Sequence, residues 1–110
     1  MKLSTAALIK SLSDTNKLIP LGAEFFHYKG GSYRITDLVI NQDTQKVMVV
    51  YVPLHGTYIK YTRPADEWFE ICDKFIAGER NGPGDTIKKV PRFDIYSKYQ
   101  EIPDIYSYKD

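Results

Sequence analysis

His27 and Lys29 stand two apart in the run Phe25-Phe26-His27-Tyr28-Lys29-Gly30-Gly31-Ser32-Tyr33, ahead of a double glycine and a tyrosine. On an extended strand that spacing directs an imidazole and an ammonium to the same side. Tyr33, Tyr51 and Arg63 fall on the strands or strand ends expected to follow, so the five residues are candidates for one polar, ligand-binding face. Such a set suits an anionic or ring-bearing ligand: a guanidinium fork matches carboxylate or phosphate, and phenols stack on rings. The competing reading is structural. His27 and Arg63 would then hydrogen-bond backbone carbonyls and hold strands in register, since buried polar groups must find partners.

Catalytic chemistry has less to stand on. No serine sits in a nucleophile elbow, no phosphate loop is present, and no acidic pair has the spacing of a glycosidase or nuclease. A His27–Asp37 pairing lacks a nucleophile to join it. The single cysteine, Cys72, falls among Trp68, Ile71 and Phe75 and reads as a buried structural thiol, and one cysteine excludes an intrachain disulfide. Two histidines far apart in sequence do not make a metal site. The expectation is a non-enzymatic protein without cofactor or metal.

Net charge is +1 and the sequence pI about 7.8, balanced along the chain, so no bulk field points to nucleic acid. The densest basic spot, Lys88-Lys89 with Arg92, reads as a solvated loop. No apolar run approaches the roughly 20 residues of a membrane span, and Ala6-Ala7-Leu8-Ile9 is too short for a secretory signal. These points predict a soluble, cytoplasmic protein.

At 110 residues and 43% apolar, the chain is expected to form a single domain over 1–110. Residues 1–20 read as a helical extension, with Ser4 or Thr5 as cap and Leu8, Ile9 and Leu12 as its apolar stripe. Pro20 and Gly22 bend the chain into four strands, over 23–29, 32–41, 46–54 and 57–62. Gly30-Gly31 supplies positive φ for the first turn, and Asp37, on the parity of Tyr33, Ile35 and Val39, marks a bulge. The apolar run Val47–Val52 reads as an interior strand. Pro64, early carboxylates and the stripe Trp68, Ile71, Cys72, Phe75 and Ile76 predict a helix over 64–77. The domain core is thus 21–77, and 78–110 reads as an exposed loop and an extended tail. In that tail Asp94-Ile95-Tyr96-Ser97 recurs as Asp104-Ile105-Tyr106-Ser107. Its tyrosines Tyr96, Tyr99, Tyr106 and Tyr108 are hard to leave in water without purpose. They pack back on the domain or contact a partner, a second copy included.

The middle of the chain resembles a small bacterial family, domain-of-unknown-function family 1653. Gly22, His27-Tyr28-Lys29-Gly30 with Tyr33, Val49-Val50-Tyr51, Arg63-Pro64 and Phe69 carry the resemblance, over about residues 20–75. It implies a small barrel of the SH3 type and no activity. The fold class expected is therefore mainly β (α+β): an SH3-like barrel of four to five antiparallel strands, with an N-terminal helix, a helix after the last core strand and an extended tail. The function expected is recognition of a small anionic or nucleotide-like ligand by the barrel face. The alternative is a protein-interaction or inhibitor module, such as a phage-encoded accessory protein acting on a host factor, using the N-terminal helix and the tyrosine-rich tail.

Overall fold

The computed structural model describes residues 2–78, 82 and 84–95. Helix α1 spans Thr5–Leu18. Ser4 caps it, its hydroxyl oxygen accepting the Ala7 N–H at 3.1 Å, and Lys10 pairs with Asp14 one turn on at 2.8 Å. The helix runs on to Leu18, and Ile19 just beyond it is drawn into the core, where its N–H still donates to the Thr15 carbonyl. Leu8 and Leu12 are half-buried, whereas Ile9 points to solvent. Gly22 then turns the chain at φ 82°.

Five strands form one antiparallel sheet: β1 (Glu24–His27), β2 (Ser32–Ile40), β3 (Val47–Pro53), β4 (Tyr61–Pro64) and, from far along the chain, Phe93–Ile95. Between β4 and that last strand lies a separate hairpin, β5 (Ile71–Ile76) with β6 (Thr86–Pro91), which makes Phe93–Ile95 β7. The order is β4-β3-β2-β1-β7, an open sheet with β4 and β7 at its edges. Gly30 and Gly31 both take positive φ (112° and 88°) in the β1–β2 turn.

The bulge expected at Asp37 is present. Ile35 pairs with Tyr51 and Asp37 with Val50, leaving Thr36 over, and its hydroxyl donates to the Val50 carbonyl at 3.2 Å. One extra residue flips the face, so Leu38 turns inward and Val39 outward. In β3, Val47, Val49 and Tyr51 point into the core and alternate with half-buried Met48, Val50 and Val52. The inner face gathers Phe25, Ile35, Val49, Tyr51 and Phe93, with Trp68 laid over them. Trp68 stacks on Phe93 at 3.8 Å and 5°, and meets Phe25 and Tyr51 edge-on at 5.5 and 5.0 Å.

Two expected elements are corrected. The fourth strand is not 57–62 but Tyr61–Pro64, because Tyr51 pairs with Tyr61 and residues 54–60 are used in the connection. The helix expected over 64–77 is replaced by a single 3-10 turn, Ala65–Glu67, and strand β5. Trp68 alone of the supposed stripe is buried; Ile71 and Phe75 stand 62% and 64% exposed. Cys72 accordingly lies half-buried on a strand rather than on a helix. A β-branched and aromatic run such as Ile71–Ile76 suits a strand once it has a partner, and Thr86–Pro91 supplies one. That partner lies within the stretch read as an exposed loop.

Candidate functional site

Strand register decides which side chains meet. Phe25 pairs with Tyr33, Ile35 with Tyr51, Val49 with Arg63 and His27 with Phe93, so His27, Tyr33, Tyr51 and Arg63 all belong to the inner face. Their rings form a chain: His27 to Tyr33 at 6.3 Å, Tyr33 to Tyr51 at 5.4 Å, and His27 to Phe93 at 4.9 Å. Tyr51 is a core residue, 7% exposed. Arg63 is ion-paired to Glu67 at 3.6 Å. Lys29 does not share the strand with His27; it sits in the turn, its Nζ 5.7 Å from the Tyr28 ring centroid. Tyr96, Tyr99, Tyr106 and Tyr108 lie outside the described residues.

His27 is the hinge between this face and a cavity of about 630 Å³. One wall of the cavity belongs to the sheet: Phe26, His27, Tyr28, Gly30 and Asp94. The other belongs to the hairpin, through Lys74, Lys88, Lys89, Val90 and Pro91. Arg92 fixes the two walls at their base. Its N–H donates to the Glu70 carbonyl at 2.8 Å, its carbonyl accepts the Tyr28 N–H at 2.9 Å, and its guanidinium donates to the Glu70 carboxylate at 2.5 Å. That carboxylate contact raises the Arg92 pKa further, so the charge is permanent.

Charge on the hairpin wall is uneven. Asp73 and Lys89 pair across the strands, but Lys74 faces Lys88 directly. Among the described residues neither Lys74 nor Lys88 has an acidic partner. On the sheet wall the Lys29 N–H donates to His27 Nδ1 at 3.1 Å. Accepting there leaves the neutral ring protonated at Nε2, a hydrogen-bond donor. Burial, and then the positive charges of Arg63, Arg92 and Lys29, hold the His27 pKa below the usual imidazole value.

Three further donors, Arg63 Nε, Arg92 Nε and Trp68 Nε1, are buried without hydrogen-bond partners among the described residues. Sequence reasoning located His27 but missed Lys74, and it dismissed Lys88 and Lys89 as loop. The only signal available was the Lys88-Lys89-Arg92 cluster; Lys74 joins it through hairpin pairing alone.

The family model described as "Protein of unknown function (DUF1653)" matches residues 23–80. The chain belongs to this family. A solved protein of the same family, from Bordetella bronchiseptica, is 28% identical; the likeness covers 66% of this chain and 81% of that one, with a TM-score of 0.47. No curated protein matches. The DUF1653 stretch holds β1 to β5, and with them His27, Tyr28 and Lys74, whereas Lys88, Lys89 and Asp94 lie beyond it. The cavity is thus built from both the family segment and this chain's own continuation. Among the described residues no helix is long and apolar enough to cross a membrane.

Proposed function

We propose that this protein is a non-catalytic module binding a small anionic, nucleotide-like ligand between the β1–β2 turn and the β5–β6 hairpin. The observation that carries the reading is the Lys74–Lys88 pair. Like charges directly opposite on antiparallel strands destabilise the pairing. An anion between the two ammonium groups reverses that repulsion. The cavity volume of about 630 Å³ falls in the range of small-molecule sites, about 300–1,000 Å³. Phe26, Tyr28, Val90 and Pro91 supply apolar walls for a ring. Arg63 and Lys29 contribute field rather than contact, and Tyr33 and Tyr51 support His27 from behind. In this reading the ligand is held without turnover.

We read the surrounding scaffold as an SH3-type arrangement. Its support is the order of the meander, the 3-10 turn before the last strand and the pairing of that strand with β1, with the hairpin inserted between turn and strand.

Thermal-shift titration of the full chain with inorganic phosphate, AMP and ATP tests the proposal. AMP is expected to raise the melting temperature, less so at high salt because exposed charges are screened beyond about 10 Å at 0.1 M. The Lys74→Ala/Lys88→Ala variant is expected to fold and lose the response. No response to any of these anions, or an unchanged response in the double variant, overturns the reading.

A protein-interaction role has one observation in its favour. On the hairpin face opposite the lysines, Phe75 and Ile87 form a directly paired apolar couple, 64% and 65% exposed. Co-purification of a partner that a Phe75→Ser/Ile87→Ser variant loses, with AMP inert, would decide for it.

A further inference from the structure

The hairpin face turned away from Lys74 and Lys88 has no part in anion binding, and its side chains form a self-complementary pattern. We infer that this face docks on the same face of a second copy of the chain, with Asp73 set against Lys89 of that copy and Phe75 against its Ile87. The inference takes up the apolar couple that favours a protein-interaction role, names the partner, and stands independently of the anion site.

Register and parity define the face. Ile71, Asp73 and Phe75 share one side of β5, and the pairs Ile71–Pro91, Asp73–Lys89 and Phe75–Ile87 place Pro91, Lys89 and Ile87 beside them on β6. Ile71, Phe75 and Ile87 are 62%, 64% and 65% exposed. The hairpin is a two-stranded sheet of its own, and three large apolar side chains gathered on one exposed face mark a contact surface.

Charge then selects the partner. The face is apolar at both ends, with one ion pair, Asp73–Lys89, across its middle. Copies related by a two-fold axis present the same patch to each other. A two-fold along the strands exchanges β5 with β6. It sets Asp73 over Lys89 of the second copy, closing a ring of four alternating charges, and sets Phe75 over Ile87 and Ile71 over Pro91. A two-fold across the strands sets Asp73 over Asp73 and Lys89 over Lys89, and such like-charge contacts are costly. A wholly apolar partner would bury the ion pair without answering it. Strands of six residues span roughly 20 Å and a pair of them roughly 10 Å, well short of the about 800 Å² a side of a standard interface. The dimer is therefore reversible and concentration-dependent, and the dilute chain keeps this face in solvent.

Sedimentation velocity of the full chain over a rising concentration series is expected to show a monomer–dimer equilibrium. Phe75→Ser/Ile87→Ser, at two exposed positions, is expected to fold and to weaken association at least about tenfold. The same variant is expected to keep the melting response to AMP, so failure of the anion site and failure of this inference are read separately. Asp73→Lys/Lys89→Asp reverses the ion pair while keeping it within the hairpin. That variant is expected to dimerise like the parent yet to form no mixed dimers with it, because each charge would then meet its like. Native mass spectrometry of an equimolar mixture with isotopically labelled parent reads the sorting. A parent that remains monomeric overturns the inference and leaves the face to residues 96–110 or to another protein. A dimer that Phe75→Ser/Ile87→Ser retains in full places the contact elsewhere and overturns it as well. Mixed dimers in statistical proportion overturn the alignment of Asp73 with Lys89 of the second copy.

Discussion

The sheet and the hairpin carry similar residue types and use them in opposite ways. In the sheet, Phe25, Trp68 and Phe93 are at most 1% exposed and pack ring against ring. In the hairpin, Ile71, Phe75 and Ile87 are all above 60% exposed, and two lysines oppose each other. A two-stranded hairpin is marginal in water on its own. This one is tied at its base by Glu70, Arg92 and the Tyr28 N–H. Folding energy therefore resides in the sheet, and the residues of the hairpin do not maximise hairpin stability. That contrast is the physical basis for placing ligand recognition at the junction of the two.

Truncation should show the largest difference. Trp68→Ala is expected to cost about 3–5 kcal/mol, as for a buried tryptophan whose space cannot refill. Phe75→Ala, on the hairpin's solvent face, should stay within about 0.5 kcal/mol. Urea unfolding of both variants checks the pair; equal losses would mean that the hairpin is part of the core.

Next in size is the turn that supports the sheet wall. Gly31 has φ 88°, and a Cβ there would meet the Tyr33 ring at 3.6 Å, ordinary contact. Strain rather than crowding therefore sets the cost of Gly31→Val, about 1–3 kcal/mol. Melting that matches the parent would contradict the turn geometry.

Much of the sheet was legible in the sequence. The Ser4 cap, the bend at Gly22, the positive φ of Gly30 and Gly31, the Asp37 bulge and the interior β3 all follow from local residue chemistry. The hairpin was not, because Trp68, Ile71, Cys72, Phe75 and Ile76 satisfy helical spacing equally well. What decides for a strand is pairing with Thr86–Pro91, which no local window contains. The candidate site divides the same way. His27 was legible from its own strand, whereas Lys74 and Lys88 meet only through that pairing.

A smaller effect separates the two regions by pH. The His27 pKa is lowered by burial first and then by Arg63, Arg92 and Lys29. The unfolded chain thus binds the proton more readily than the folded one, so stability rises with pH through this window. The contribution of His27 is complete above the ordinary imidazole pKa of about 6.5 and is lost as pH falls through the lower folded value. His27→Gln should flatten that part of the melting-temperature profile, and an unchanged profile would place the neutral imidazole outside the sheet's energetics. Lys74, being on the hairpin, should leave the profile untouched when replaced by alanine.

The smallest expected change in stability provides the most direct test, because its sign opposes its effect on function. Lys88→Glu converts the repulsive Lys74–Lys88 pair into an attractive one, which is expected to stabilise the free protein by about 0.2–1 kcal/mol. The same change puts a negative charge where the anion would sit. Melting of this variant with and without AMP reads both quantities at once. The account predicts a free protein as stable as the parent or more so, with the AMP-dependent rise abolished. A destabilised free protein that still gains its full rise from AMP would contradict the claim that these two lysines are arranged for an anion.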